Sequence, residues 1–300
     1  MTSLDLCYDS LDGLSVGDAL GAQFFVPGSS LAALLDGGPP AGPWPWTDDT
    51  EMACSIVAEL REHDGIDQDS LAARFAEHFE PYRGYGAGAV VLLRQVRQGV
   101  GWRDAAAAAF DGQGSMGNGA AMRVAPLGAF HAGDNRTAAR QAWRSAEVTH
   151  AHPEAILGAV AVAIAAAEAG WCRLTRSRPE PAELLDVVLA HLIDGRLMSG
   201  IVRARRLLGV GVAEAAYELG NGAQVLAFDT VPFALWVAAT RLHDYPAAIR
   251  ACVEAGGDVD TTAAIVGGIV AAYTGSGPGG IPTEWLTRRE PLPDEVRPTR

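Results

Sequence analysis

A chain of 300 residues, 49% apolar and 20% charged, has the material for a globular fold, and its net charge of −13 argues against binding along a nucleic-acid backbone, which needs a basic footprint. All 23 basic residues are arginine; with no lysine, Walker-type phosphate binding, Schiff-base chemistry and a kinase-type ion pair are excluded. The four cysteines (Cys7, Cys54, Cys172, Cys252) lie far apart with no CxxC spacing, the pattern expected of a reduced, cytoplasmic protein.

From the N-terminus, Asp5 and Asp9 stand where a secretory signal would carry a basic region and an apolar core, so no targeting segment is expected. Gly17-Asp18 reads as one of several small, polar helix openings. After the turn-rich run Gly37 to Pro43 comes Trp46-Thr47-Asp48-Asp49-Thr50-Glu51-Met52-Ala53 at the start of a predicted helix. Capping alone explains much of this run, since Asp48 and Glu51 have the capping-box spacing. In Leu71 to Phe79, apolar residues recur at i+4 (Leu71, Phe75, Phe79), the helical period that prevails along the chain, whereas alternation of period two is hard to find; the fold is expected to be all-α. Tyr82-Arg83-Gly84-Tyr85-Gly86 is either a cleft rim or an ordinary surface turn.

The run Gly112-Gln113-Gly114-Ser115-Met116-Gly117-Asn118-Gly119 frees backbone N–H groups as a phosphate cradle would, although a plain turn would look the same. Thr149-His150-Ala151-His152-Pro153-Glu154 opens another helix, its histidines packed or facing a ligand. The apolar run that follows, Ala155 to Ala167, is shorter than the ~20 residues a bilayer requires. Gly256-Gly257-Asp258-Val259-Asp260-Thr261-Thr262 repeats the acid-plus-hydroxyl pattern behind a Gly-Gly turn. Two acids there are awkward unless a cation joins them, and Mg²⁺-like ions take such oxygens, so a binuclear centre with ions ~3.5–4 Å apart is plausible. Zinc fits less well, with no HExxH and scattered cysteines. No stretch looks like a long linker, so one domain is expected over 1–300, with a core of about 11–272 and a charged, proline-rich surface tail at 283–300. Trp44, Trp46, Phe233 and Trp236 are expected to be packing residues.

Taken together, GLSVGDALGA (Gly13 to Ala22), WTDDTEMA (Trp46 to Ala53), GSMGNGAAMRVAPLG (Gly114 to Gly128), THAHPEA (Thr149 to Ala155) and GGDVDTTAAIVGG (Gly256 to Gly268) resemble the ADP-ribosylglycohydrolase family, in the family's order and over roughly Leu11 to Ala272. The resemblance implies a single orthogonally packed helical domain carrying two Mg²⁺ or Mn²⁺ ions. It implies Thr47, Asp48, Asp49, Asp258, Asp260 and Thr261 as metal ligands and substrate binding along Gly114, Ser115, Met116, Gly117, Asn118 and Gly119. Of these, Ser115, Gly117, Asn118 and Gly119 would hold diphosphate and ribose, and His150 would line the pocket. The implied reaction is hydrolysis at C1″ of ADP-ribosylated proteins or small molecules, arginine-linked acceptors preferred, to release ADP-ribose, with Asp258 or Asp49 as general base. A dianionic ligand approaching an acidic protein needs local compensation within a screening length of ~8 Å, which metals and helix N-termini supply.

The sequence departs from the family at one point: where many members read GDALGAxxE, this chain has Phe25. Two further readings therefore stand beside the hydrolase: a non-catalytic ADP-ribose binder, and a binuclear phosphohydrolase acting on a nucleotide diphosphate. The arginine, alanine and glycine richness without lysine points to a GC-rich bacterial genome.

Overall fold

Capping residues and small side chains shape the fold. In this computed structural model, which describes residues 1–26, 29–294 and 296, the chain forms α1 (Ser3–Gly21), α2 (Leu31–Gly37), α3 (Asp48–His63), α4 (Gln68–His78), α5 (Ala87–Arg97), α6 (Trp102–Gly112), α7 (Ala125–Phe130), α8 (Asn135–Glu147), α9 (Pro153–Thr175), α10 (Pro181–Leu189), α11 (Arg196–Arg206), α12 (Val212–Leu219), α13 (Ala227–Thr240), α14 (Tyr245–Ala255), α15 (Val259–Thr274) and α16 (Thr283–Arg288). Among the described residues β-pairing is limited to two isolated bridges, so the protein is all-α as expected. Thr2 and Asp5 close a reciprocal capping box on α1, and the Asp67 carboxylate caps α4 through the amides of Asp69 and Ser70. Leu71, Phe75 and Phe79 are buried together, as their spacing predicts.

The most extensive helix contact joins α1 to α15, near opposite ends of the sequence. Glycine makes it possible. Gly13, Gly17 and Gly21 recur at i+4 on one face of α1; a methyl group on Gly17 would collide with Ala263 O, one on Gly13 with Gly267 O, and one on Gly21 would come within 2.7 Å of Asp260 Cα. The two backbones therefore touch, and Tyr245 seals the seam by donating its hydroxyl proton to Gly13 O at 2.6 Å. Gly17-Asp18 is thus not a helix opening: it lies in the closing part of α1, where the glycine seam presses that end of the helix onto the start of α15.

Helix α9 runs through the core against α7, α8, α10, α13 and α15. At 23 residues it is long and apolar enough to cross a membrane by length and composition, which corrects the shorter span read from Ala155 to Ala167: Glu168 and Arg173 do not interrupt the helix. Its apolar window is 89% buried inside the fold, so its hydrophobicity is explained by internal packing. Trp44, Trp46, Phe233 and Trp236 are all buried, the last two with stacked rings. All four cysteines are buried and none is in a disulfide.

The segment after Pro282 begins with α16, which buries Trp285. Trp44 N donates to Arg288 O at 2.7 Å and Glu290 N to Trp44 O at 2.8 Å, fastening this segment to the approach to α3. Residue 295 and residues 297–300 of the expected tail lie outside the described residues.

Candidate active site

The N-terminal ends of α3, α5 and α15, the Thr149–His150 turn before α9 and the Gly114–Gly119 loop surround a cavity of about 930 Å³. Of the expected site residues, Asp48, Asp49, Asp258, Asp260, Thr261, Gly114, Ser115, Met116, Gly117, Asn118, Gly119 and His150 line it; Thr47 lies just behind, as the N-cap of α3.

At one end are the acids. Asp18, fully buried and read from the sequence as part of a helix opening rather than as a metal ligand, accepts hydrogen bonds from Thr47 N (2.9 Å), Thr47 Oγ1 (2.8 Å) and Thr50 N (3.2 Å), and also from Thr50 Oγ1. One carboxylate oxygen each from Asp18, Asp49 and Asp260 lie within 4.8 Å of one another. The missed signal is the Gly13-Gly17-Gly21 spacing: small residues at i+4 mark the face that meets another helix backbone, and Asp18 adjoins it.

Burial followed by like charge drives these acids toward their protonated forms. Asp18 is pushed up to about 6 by burial against the pull of its hydrogen bonds. Asp48 rises to about 7 through burial and the charge of Asp18, and Asp260 to about 8 through burial and the charges of Asp258 and Asp18. Asp49 lies well above the usual carboxylate range, through burial and then Asp18 and Asp260. Its Oδ1 is buried with no hydrogen-bond donor among the described residues. An unpartnered buried oxygen among crowded carboxylates and threonine hydroxyls is a donor set that fits a hard divalent cation.

Glu51 departs from its expected capping role. Its Oε2 accepts from Tyr85 OH (2.6 Å) and Glu80 N (3.1 Å), while Thr47 alone caps α3 by accepting from Asp49 N. The Tyr82–Gly86 turn does reach the cleft, through Gly84 and Gly86; Tyr85 is buried and Tyr82 exposed. Arg83 braces this turn: its guanidinium lies 3.4 Å from the Trp46 ring centroid, donates to Trp46 O and pairs with both Glu290 oxygens at 2.8 and 2.9 Å.

The other end is the glycine loop. Gly114 has φ +77°, and a side chain there would press within 2.7 Å of His152 N; His152 itself caps α9 by accepting from Glu154 N. Three of the loop amides are already engaged: Gly114 N donates to Ala109 O (2.9 Å), Gly117 N to Ser115 Oγ (3.1 Å) and Asn118 N to Val225 O (3.1 Å). The amides of Ser115 and Met116 meet no acceptor among the described residues. Asn118 spans the two ends, its Nδ2 donating to Asp258 Oδ2 (2.7 Å) and Thr230 Oγ1 (3.0 Å). Buried His150 is lowered to about 3 by burial, aided by the charge of Arg123, so its imidazole is neutral near pH 7.

Two wall residues went unrecognised in the sequence. Phe110, at φ +53° where α6 breaks, and Val225, at φ +57°, both line the cleft and are 61% and 56% exposed. Left-handed backbone at an aromatic and a β-branched residue is costly and concentrates at functional sites. Phe25 is 55% exposed and is not among the residues lining this cavity.

Comparison with known proteins decides the family: residues 2–298 match the ADP-ribosylglycohydrolases. The chain belongs to the ADP-ribosylglycohydrolase family. It is 31% identical to ADP-ribosylhydrolase ARH3 of Homo sapiens, with 80% of this chain and 73% of that protein aligned. It is 25% identical to ADP-ribosylarginine hydrolase Tri1 of Pseudomonas putida, over 95% of this chain and 74% of that protein. A solved ADP-ribosylglycohydrolase-related protein complex superposes with a TM-score of 0.64 at 28% identity, covering 96% of this chain and 93% of that one. This ADP-ribosylglycohydrolase is therefore an ADP-ribosyl-hydrolysing enzyme, with an acidic cluster able to hold metal.

Proposed function

We propose that this enzyme hydrolyses the C1″ bond of ADP-ribosylated arginine on proteins or small molecules and releases ADP-ribose, using two Mg²⁺ or Mn²⁺ ions. The observation that carries the reading is the opposition, across one cleft, of a crowded acid cluster with an orphaned Asp49 oxygen and a glycine loop with free amides beside a neutral histidine. The arginine preference is supported by the likeness to Tri1 and by simple electrostatics, since carboxylates attract a departing guanidinium.

Thr47, Asp48, Asp49, Asp258, Asp260 and Thr261 would hold the ions, with buried Asp18 bracing Thr47 and Thr50 beneath them. Such ions orient hydroxyl groups and acidify water. The rest falls to the protein. The amides of Ser115 and Met116 face the diphosphate, the ring of Phe110 offers a stacking face for the adenine, and His150 contacts the sugar-phosphate. Asp258, fixed by Asn118 and less buried than Asp49, is placed to take a proton from the attacking water as the oxocarbenium-like state develops at C1″. Four buried thiols, none of them in a disulfide, support a reducing, cytoplasmic setting.

The test is release of free ADP-ribose from ADP-ribosyl-arginine and ADP-ribosyl-serine peptides, with and without Mg²⁺ or Mn²⁺. Metal-dependent release from the arginine peptide supports the assignment. Release from the serine peptide alone would overturn the acceptor, and undiminished release in excess chelator would overturn the metal requirement.

A further inference from the structure

Arg123 is fully buried behind the cleft, and among the described residues no carboxylate pairs with it. Its Cζ lies 4.5 Å from the Phe75 ring centroid, its Nη1 points at Met52 Sδ (3.2 Å), and its Nη2 donates to Ser145 O (3.1 Å) and Thr149 Oγ1 (2.8 Å). Thr149 Oγ1 in turn lies 2.7 Å from His150 Nδ1.

The protons of this chain can be assigned by counting. A guanidinium has donors and no acceptor, so the first contact runs from Arg123 to Thr149. The threonine hydroxyl carries one proton, and among the described residues the acceptor that meets it is His150 Nδ1; were Nδ1 protonated instead, a buried hydroxyl proton would be stranded without an acceptor, which is costly. The nearby guanidinium charge also disfavours a second proton on the ring. That leaves the imidazole proton on Nε2. This atom faces the glycine loop: a methyl group on Gly119 would sit 3.3 Å from it and one on Gly117 3.5 Å.

We propose that Arg123 and Thr149 are positioning residues that fix His150 as the neutral Nε2–H tautomer, so that the cleft receives a hydrogen-bond donor aimed at an anionic or hydroxyl oxygen of the ligand. With the opposite tautomer, a lone pair would meet a diphosphate-bearing ligand and repel it. Which oxygen receives the bond rests on the function proposed above; the tautomer does not.

The experiment is two-bond ¹H–¹⁵N correlation on the full chain with ¹⁵N-labelled histidine, His150 being assigned by the signals missing in His150→Gln. The wild type should show Nε2 protonated and Nδ1 unprotonated at neutral pH. Thr149→Val, which removes the hydroxyl at nearly constant volume while Arg123 keeps Ser145 O, should yield a mixture of tautomers and weaken ADP-ribose binding about tenfold by calorimetry, the loss of one hydrogen bond to a charged group. Thr149→Ser should restore both. An Nδ1–H tautomer in the wild type, or a tautomer unchanged in Thr149→Val, overturns the proposal. The spectra need no turnover, so a protein that fails to hydrolyse the peptides can still show the tautomer, and an active one can fail to show it.

Discussion

The two ends of the cleft differ in how complete they are. At the glycine loop, the side chains of Asn118, Thr149 and His150 have partners and the imidazole is neutral, while the Ser115 and Met116 amides, which meet no acceptor among the described residues, carry no net charge that folding must offset. At the acid end, burial and like charge hold four carboxylates above their ordinary range, and an oxygen of Asp49 has no donor among the described residues, an arrangement that a bound cation would relieve. The binding wall is thus preorganised by the fold, whereas the reactive wall carries a donor set that a cation would complete.

Breaking the acid end should have the largest consequence. If Asp258 is the general base, Asp258→Asn lowers kcat by about 10²–10⁴, the span expected for general-base loss, with a much smaller change in KM. Steady-state kinetics of the purified variant decide it; retention of most of the activity would transfer the role to Asp49. The crowding itself is tested with Asp260→Asn. Because these acids have raised folded values, the native ion-free protein holds more protons than the unfolded chain between roughly pH 4 and 8, and its stability falls as pH rises through that window. Asp260→Asn should therefore raise the melting temperature of chelator-treated protein near neutral pH while weakening Mg²⁺ affinity at least about tenfold. Mg²⁺ titrations of the wild type in buffers of different ionisation enthalpy should show proton release that shrinks above about pH 8. His150 acts with the opposite sign: its folded value of about 3 lies below the unfolded one, so keeping it neutral costs stability only as the pH falls from about 6.5 toward 3.

At the preorganised end the effects are smaller. A methyl group on Gly119 would press to 3.2 Å from His150 Cε1, so Gly119→Ala should shift the ring and raise KM about tenfold with little change in metal affinity. An effect on metal affinity alone would dissolve the distinction between the two ends. Smallest of all should be Phe25→Glu: the side chain is exposed and outside the cleft lining, so restoring the common family acid should alter turnover by no more than about twofold, the scale of an ordinary surface change. A large gain in that variant would show that residue 25 takes part in the cycle.

What could be read from the sequence follows the range over which each signal acts. The helical period of Leu71, Phe75 and Phe79 is local and was legible, as was the acid run at 258–261, which has more acids than a cap requires; the run at 47–51, largely explained by capping on its own, stood out only beside the other motifs. Asp18 was not legible as a site residue: the Gly13-Gly17-Gly21 spacing beside it marks a close helix contact but does not say with which helix, and that partner, α15, lies nearly 250 residues away in sequence. Glu51 misled because capping-box spacing is necessary for a box but not sufficient, and Tyr85 and Glu80 claim the carboxylate first. Phe110 and Val225 were invisible because their exposure depends on a backbone conformation that residue type disfavours.

The glycine seam between α1 and α15 also bears on when the enzyme can exist during its synthesis. Asp18 leaves the ribosome before the intervening helices and Asp260 after them, so the acids that crowd the site cannot meet until that whole stretch has been made. A nascent chain is therefore spared the crowding of its own carboxylates, and closing so long a loop places this contact among the slowest to form.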